Sequence, residues 1–205
     1  MKLTDYYRDV VDKNDSFTGG WSIYYYGVWS KVITENNYKI VAEVGIGYGT
    51  HAKYVLVNNT IDHLYLIDPT KEYPNDNFSS DVMSCEPVIS GENFNELYTL
   101  INKELSPWKD TYTWFRKESL TIKNDEIADE SLDSVFVDGA HDYYNALADI
   151  RFWFKKLRCG GTLLGDDYWI DDVRRAVEDF AKEQELEYIL LKKEGTSHNI
   201  FSFRK

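Results

Sequence analysis

The stretch Glu43-Val44-Gly45-Ile46-Gly47-Tyr48-Gly49-Thr50 decides the fold, because it joins an apolar run, Ile40 to Val44, to a helical pattern. Glycines at every second position predict a tight turn from a strand into a helix that begins near Thr50. Such a turn lets the backbone approach a ligand while the amide groups at the start of the helix point toward it. The glycine pattern alone is equally compatible with a purely structural turn.

Apolar runs of strand length recur along the chain with helical patterns between them, which indicates an α/β sheet. The predicted core strands are Ile40 to Val44, His63 to Ile67, Tyr112 to Phe115, Ser134 to Val137 and Thr162 to Leu164. The predicted helices are Thr50 to Val57, Phe94 to Leu105, Tyr143 to Leu157, with Cys159-Gly160-Gly161 as its stop, and Asp171 to Leu186. This order predicts a Rossmann-like, doubly wound sheet.

The chain ends in two further apolar runs, Tyr188 to Leu191 and Asn199 to Phe203, joined by a turn through Gly195. They predict a C-terminal antiparallel hairpin on a mostly parallel sheet. We expect one domain over residues 1–205, with a helical and aromatic cover at 1–36 and a catalytic core at 37–205. The cover includes the aromatic stretch Trp21 to Trp29, which we expect mainly to pack against the sheet.

Composition limits the classes of function. The 205 residues carry a formal net charge of −12, which disfavours a nucleic-acid partner. No apolar run is long enough for a membrane helix and no secretory signal is evident, so we expect no membrane association and a cytoplasmic location. Cys85 and Cys159 form no metal-binding or disulfide pattern.

Asp68 follows the second predicted strand, 23 residues after Gly45, where a carboxylate can accept both hydroxyls of a ribose. The glycine turn and Asp68 together predict a cofactor that contains a nucleoside. Thr50 stands where a dinucleotide fingerprint requires glycine, and Glu43 suits a cationic amino acid group better than a diphosphate. S-adenosylmethionine is therefore favoured. An NAD-dependent dehydrogenase and a non-catalytic S-adenosylmethionine-binding module remain as alternatives.

Three acids follow the fourth and fifth predicted strands, whose ends should be neighbours: Asp138, Asp166 and Asp167. Carboxylates this close repel each other unless a cation neutralises them, and magnesium or another divalent cation prefers oxygen ligands. A helix cap or a surface loop would also account for single acids here. His141 lies on the same loop as Asp138, and histidine can act as a base near neutral pH. We expect Asp138 and His141 to be catalytic.

These motifs resemble the class I S-adenosylmethionine-dependent methyltransferases, through Glu43 to Thr50, Asp68, and Val137-Asp138-Gly139-Ala140-His141-Asp142-Tyr143. The resemblance implies a seven-stranded sheet. It also implies cofactor contacts from the turn residues Glu43, Gly45, Gly47, Gly49 and Thr50, from Asp68 and Asp138, and from Glu118 and Ser119 near the adenine.

The acids and His141 are similar to those of the metal-dependent O-methyltransferases, above all the branch that acts on macrolide and aminocoumarin deoxysugars and on rhamnosyl groups. That branch implies magnesium on Asp138, Asp166 and Asp167. In the catechol branch the last ligand is an asparagine and the base a lysine, so Asp167 and His141 favour a sugar acceptor such as a rhamnose-like deoxyhexose of a glycan or glycoside. A catechol or phenol is the alternative. The chain could work as a homodimer or within a larger glycan-building enzyme.

Overall fold

The computed structural model describes residues 2–15, 23–71, 93–192 and 199–205. Seven strands form one sheet in the order β3-β2-β1-β4-β5-β7-β6. β1 to β5 run parallel, and β7 runs antiparallel to both β5 and β6. The predicted mostly parallel sheet with an antiparallel ending is confirmed, whereas Gly195 lies outside the described residues. The strands are β1 (Ile40–Val44), β2 (His63–Ile67), β3 (Tyr112–Phe115), β4 (Leu132–Val137), β5 (Leu157–Gly165), β6 (Tyr188–Lys192) and β7 (Asn199–Arg204).

Helices cover both faces of the sheet. Alternate residues of β1 face opposite sides, so Ala42 and Val44 pack with α5 and α6, and Val41 packs with the remaining helices. Central strands buried on both faces explain the near-continuous apolar runs in the sequence. The helices are α1 (Leu3–Asp15), α2 (Ile23–Asn36), α3 (Thr50–Asn58), α4 (Asn93–Glu104), α5 (Tyr143–Lys156) and α6 (Asp171–Gln184). Among the described residues, no helix has the length and apolar character needed to cross a membrane.

The prediction that α5 ends at a Cys159-Gly160-Gly161 stop is wrong. The helix ends at Lys156, and β5 begins at the next residue, Leu157, so that both glycines lie within the strand. Pairing on both sides explains the difference. Leu157 pairs with Leu132 of β4, while Gly160 N donates to Lys205 O at 2.7 Å and Lys205 N donates to Gly161 O at 3.0 Å. These pairs extend β5 beyond its apolar run.

The N-terminal segment contributes two helices: α2 packs on the sheet, and α1 packs against α4. Trp29 of α2 is fully buried, and its Nε1 donates to Ser134 Oγ of β4 at 2.9 Å. The sequence predicts a helical cover over residues 1–36 but gives no bounds for α1. This helix buries Leu3 and Tyr7, and its Thr4 Oγ1 donates to Glu96 Oε1 of α4 at 3.0 Å. Packing as the main role is confirmed for Trp29, while Trp21 and Cys85 lie outside the described residues.

Candidate active site

The glycine turn packs directly against the loop that follows β4. Gly45 has a φ of 79°, and a Cβ placed on it would lie 1.9 Å from Asp138 O, a distance at which atoms overlap. Gly47 also has a positive φ, of 50°, but a Cβ there would meet nothing within 4 Å. Gly49 precedes α3 and has no side chain with which to cap its first amide groups. One side of the turn is therefore closed by backbone, and open space lies beside Gly47.

Asp68 supports this turn from the end of β2. Its Oδ2 accepts a hydrogen bond from Ile46 N at 2.9 Å, and its Oδ1 accepts one from Thr70 N at 2.6 Å. Burial raises the pKa of the Asp68 carboxyl, although these backbone hydrogen bonds lower it. Asp68, which is predicted to bind the ribose, therefore lies directly after β2 and also fixes the shape of the glycine turn.

Glu43 lies beneath the turn within β1, not on the turn surface. Its side chain is 1% exposed, and its Oε1 is 3.0 Å from Nδ1 of His51, which is 3% exposed. The His51 ring packs against Trp29 and Phe136, with centroid distances of 5.3 and 4.7 Å. Glu43 Oε2 has no hydrogen-bond partner among the described residues. Sequence reasoning gave His51 no role; its position in the first turn of α3, above an acid in the preceding strand, was the available signal.

Acids from the ends of β4 and β5 lie close together, but His141 rather than Asp166 is the third member of the group. Asp138, His141 and Asp167 each place a potential ligand atom within 4.8 Å of those of the other two. His141 Nε2 is 2.8 Å from Asp167 Oδ2, and Trp169 Nε1 donates to Asp167 Oδ1 at 3.0 Å. Asp167 has a φ of 60°, a left-handed conformation that few residues other than glycine adopt and that recurs at functional sites.

Asp166 does not join this group in the structure. It is 7% exposed, and its Oδ1 accepts a hydrogen bond from Asp167 N at 2.6 Å, so the carboxylate fixes the loop after β5. Two of the three predicted metal ligands, Asp138 and Asp167, are therefore brought together with His141. The group borders a pocket whose other lining residues are mainly apolar, among them Val137, Ala146, Ile150, Val173 and Phe201.

Glu118 and Ser119 follow β3, where the adenine end of a cofactor was expected. The Glu118 carboxylate contacts Lys71 Nζ, and both side chains are about half exposed. Ser119 Oγ accepts from Trp153 Nε1 at 2.8 Å and donates to Oδ1 of Asp149 in α5. Burial raises the pKa of the Asp149 carboxyl to about 6. Sequence reasoning missed Asp149, although it shares a helix face with Ala146, Ile150 and Trp153, all buried.

Comparisons with solved structures show the same fold in methyltransferases. An O-methyltransferase from Bacillus cereus in complex with SAH has a TM-score of 0.66 and 14% identity, over 98% of this chain and 91% of that one. The O-methyltransferase NovP has a TM-score of 0.61 and 11% identity, over 89% and 80% of the two chains. The N-methyltransferase NodS from Bradyrhizobium japonicum has a TM-score of 0.56 and 14% identity, over 87% and 93%. Because the fold accommodates both acceptor atoms, the acceptor has to be argued from the site.

A search of the curated proteins found no match to the sequence. A protein-family model does match: the family is described as "Methyltransferase domain", and the match covers residues 42–168. These residues include most of β1, the glycine turn and Asp68. They also include Asp138, His141, Asp166 and Asp167 at the ends of β4 and β5. The match covers more than half of the chain, and the chain therefore belongs to this methyltransferase family.

Proposed function

We propose that the protein is an S-adenosylmethionine-dependent O-methyltransferase that uses a divalent cation and acts on a sugar hydroxyl. The observation that carries the proposal is the meeting of Asp138, His141 and Asp167 beside the glycine turn. A methyl donor site and a group of oxygen and nitrogen ligands then share one edge of the sheet, as transfer between two bound reactants requires.

The residues around the turn fit S-adenosylmethionine. The Asp68 carboxylate accepts backbone N–H groups from the turn and from Thr70, and its two oxygens offer further lone pairs for a ribose hydroxyl. The open space beside Gly47 allows close approach of the cofactor to the backbone. Oε2 of Glu43 is a buried acceptor without a partner among the described residues, which favours a nearby positive group. S-adenosylmethionine would supply an electrophilic methyl group on a positively charged sulfur.

Asp138 and Asp167 fit a hard divalent cation such as magnesium or manganese, both of which bind carboxylate oxygens. Bound there, the cation would hold acceptor oxygens and lower the pKa of a hydroxyl. Asp166 completes the ligand set predicted from the sequence if its carboxylate turns away from Asp167 N. The indole of Trp169 holds the second oxygen of Asp167 and so orients this ligand.

His141 is the group that receives the acceptor proton. Its Nε2 faces Asp167 Oδ2 at 2.8 Å, and while this nitrogen carries the shared proton it cannot act as a base. Once the Asp167 carboxylate is engaged elsewhere, Nε2 becomes available to the acceptor hydroxyl. When bound, S-adenosylmethionine would supply the methyl carbon to the acceptor oxygen and would keep the bonding electron pair on its sulfur.

A sugar acceptor is favoured by the residues beside the cation site. Asp167 and His141 are the residue types of the sugar-modifying branch that the sequence resembles. Trp169 is 44% exposed and is anchored to Asp167 through its ring nitrogen, so that it presents an aromatic surface next to the group. Aromatic surfaces of this kind suit the C–H-rich face of a sugar ring. A catechol also offers two adjacent oxygens and is the second candidate acceptor.

Labelled S-adenosylmethionine, incubated with rhamnosides, other deoxyhexosides and catechols, each with and without EDTA, tests the proposal. We expect transfer to a deoxyhexoside that EDTA abolishes and added magnesium or manganese restores. Transfer that EDTA leaves unchanged would contradict the cation. Transfer to catechols alone would contradict the sugar acceptor.

A further inference from the structure

A pocket opens beside the proposed cation ligands, and the reaction described above uses only its polar side. Asp138, His141 and Asp167 form that side. The opposite side is mainly apolar and is built by α5, α6, β4 and β7. Its main apolar members are Val137, Ala146, Ile150, Val173 and Phe201, all of them buried. A group that enters the pocket therefore meets charged ligand atoms on one side and hydrocarbon on the other.

The apolar side extends below the cation ligands. Ala146 and Ile150 are four residues apart in α5, so they lie on one face of this helix, one turn apart. α5 begins at Tyr143, just after the loop of Asp138 and His141, and Ile150 therefore lies deeper than Ala146. Ala146 is 5% exposed and Ile150 is 1% exposed. Such narrow access admits a small group but not a whole sugar ring.

Gly165 allows the ring of Phe201 to form the inner wall of the pocket. A Cβ placed on Gly165 would lie 2.2 Å from Phe201 Cζ and 2.9 Å from Val137 O. Gly165 and Phe201 are paired in the antiparallel ladder of β5 and β7. The ring therefore lies directly over the glycine, and tight packing fixes its position. The pocket has a rigid end.

We propose that this pocket receives the exocyclic methyl group of a deoxyhexose acceptor, and that Ala146 sets the size of the group it admits. The inference rests on the proposed sugar acceptor. A deoxyhexose carries a methyl group where the corresponding hexose carries a hydroxymethyl group, and it thus presents apolar surface beside ring hydroxyls that can bind a cation. The extra hydroxyl of a hexose would lose its hydration against apolar side chains that offer it no hydrogen bond. The pocket therefore selects deoxyhexoses over hexoses of the same configuration.

Methyl rhamnoside and methyl mannoside of the same configuration differ only in this hydroxyl, so they test the assignment. With labelled S-adenosylmethionine and magnesium, we expect kcat/KM to be at least about tenfold higher for the rhamnoside, within the range in which an apolar pocket rejects an added hydroxyl. In Ala146→Val the larger side chain fills the pocket. The ratio should then fall toward one, through a loss of transfer to the rhamnoside.

Saturation-transfer NMR of the rhamnoside, with S-adenosylhomocysteine and magnesium present, gives a second measurement that requires no turnover. We expect the protons of the exocyclic methyl group to receive the strongest saturation from the wild-type protein, because this group is the one enclosed by side chains. In Ala146→Val that preference should disappear. A methyl signal no stronger than those of the ring protons in the wild-type protein would refute the inference.

Chemical denaturation tests whether the space beside Ala146 exists. Ala146→Val should keep a denaturation midpoint close to that of the wild-type protein, because its added carbons enter the pocket. Ala176→Val is the matched control, since Ala176 in α6 is fully buried and does not line the pocket. Its added carbons enter a packed core and should lower the midpoint. Equal losses in the two variants would refute the inference.

The outcomes separate this inference from the proposed function. If catechols are methylated and neither sugar is, the sugar acceptor and the inference fail together. If both sugars are methylated with the same efficiency, the sugar acceptor stands and the role of the pocket is refuted. A preference for the rhamnoside that Ala146→Val leaves unchanged would also refute it, because the selection would then come from another part of the site.

Discussion

The carbonyl oxygen of Asp138 lies 1.9 Å from the position that a Cβ on Gly45 would occupy. Gly45 belongs to the turn proposed to bind the methyl donor, and Asp138 to the loop proposed to bind the cation. The hydrogen bond from Asp138 N to Val44 O, at 2.7 Å, fixes the same contact from the strand side. The two halves of the proposed site are therefore in direct backbone contact, and a change in one should affect the other.

Gly45→Ala should destabilise the protein by about 3 to 5 kcal/mol, because the added carbon overlaps backbone that cannot move aside. Gly47→Ala is the matched control. Its φ is also positive, but the added carbon meets nothing within 4 Å, so the expected cost is about 1 kcal/mol. Chemical denaturation of both variants measures the difference. Equal losses of stability would contradict the close contact.

The buried pair of Glu43 and His51 should contribute strongly to stability. His51→Ala removes the partner of a carboxylate that is 1% exposed, and we expect it to cost about 3 to 5 kcal/mol. His63→Ala is the control, since His63 is half-buried on the neighbouring strand and its ring bonds Thr113 instead. A loss no greater in His51→Ala than in His63→Ala would show that the pair is unimportant.

Asp149 predicts a specific dependence of stability on pH. Its pKa is about 6 in the folded protein against an ordinary value of 3.8, so the folded state binds more protons between these values. The free energy of unfolding should therefore fall as the pH rises through this window, by as much as about 3 kcal/mol, and the loss should persist above it.

Asp149→Asn cannot ionise and should not show this fall. Chemical denaturation of the wild-type protein and the variant, at several pH values between about 4 and about 7, measures the contribution of Asp149. All other titrating groups contribute equally to both proteins, so they cancel when one free energy of unfolding is subtracted from the other. Asp171→Asn, at an acid whose side chain is 82% exposed, is the control and should run parallel to the wild-type protein. An Asp149→Asn curve parallel to the wild-type curve would contradict the raised pKa.

Trp169→Phe should weaken cation binding about tenfold, because it removes the N–H that holds Asp167 Oδ1 while keeping an aromatic ring. Titration with manganese, followed by calorimetry, measures the affinity. Tyr144→Phe, at a side chain that is 81% exposed, is the control for an aromatic change at an exposed position in α5. Unchanged manganese affinity in Trp169→Phe would mean that the indole does not orient the ligand.

The sequence predicted the sheet well because its central strands are buried on both faces and appear as short apolar runs. β1, β2 and β3 begin and end at the predicted residues. The start of β5 was missed because its pairing with Leu132 of β4 and with Lys205 has no signature within residues 157–161. The helical cover over residues 1–36 was predicted without the bounds of α1, because the sequence of this helix is largely polar.

For the site, the sequence predicted which strand ends carry acids but not how each side chain turns. Asp166 and Asp167 are adjacent, and only the left-handed conformation of Asp167 directs one toward His141 and the other into the loop. His51 and Asp149 were missed for a common reason. Each lies in a helix, where an isolated polar residue is usually solvated, and its burial depends on a partner outside that helix: Glu43 of β1 for His51, and Ser119 after β3 for Asp149.

The central claim is that Asp138, His141 and Asp167 form the centre of cation-dependent methyl transfer. The most direct test is the initial rate of labelled methyl transfer in Asp138→Asn and Asp167→Asn as manganese or magnesium is titrated, compared with Asp171→Asn at the exposed surface acid. We expect the first two variants to lose at least about a hundredfold in rate, or to require far more cation, whereas Asp171→Asn should behave like the wild-type protein. Wild-type rates and cation requirements in Asp138→Asn and Asp167→Asn would contradict it.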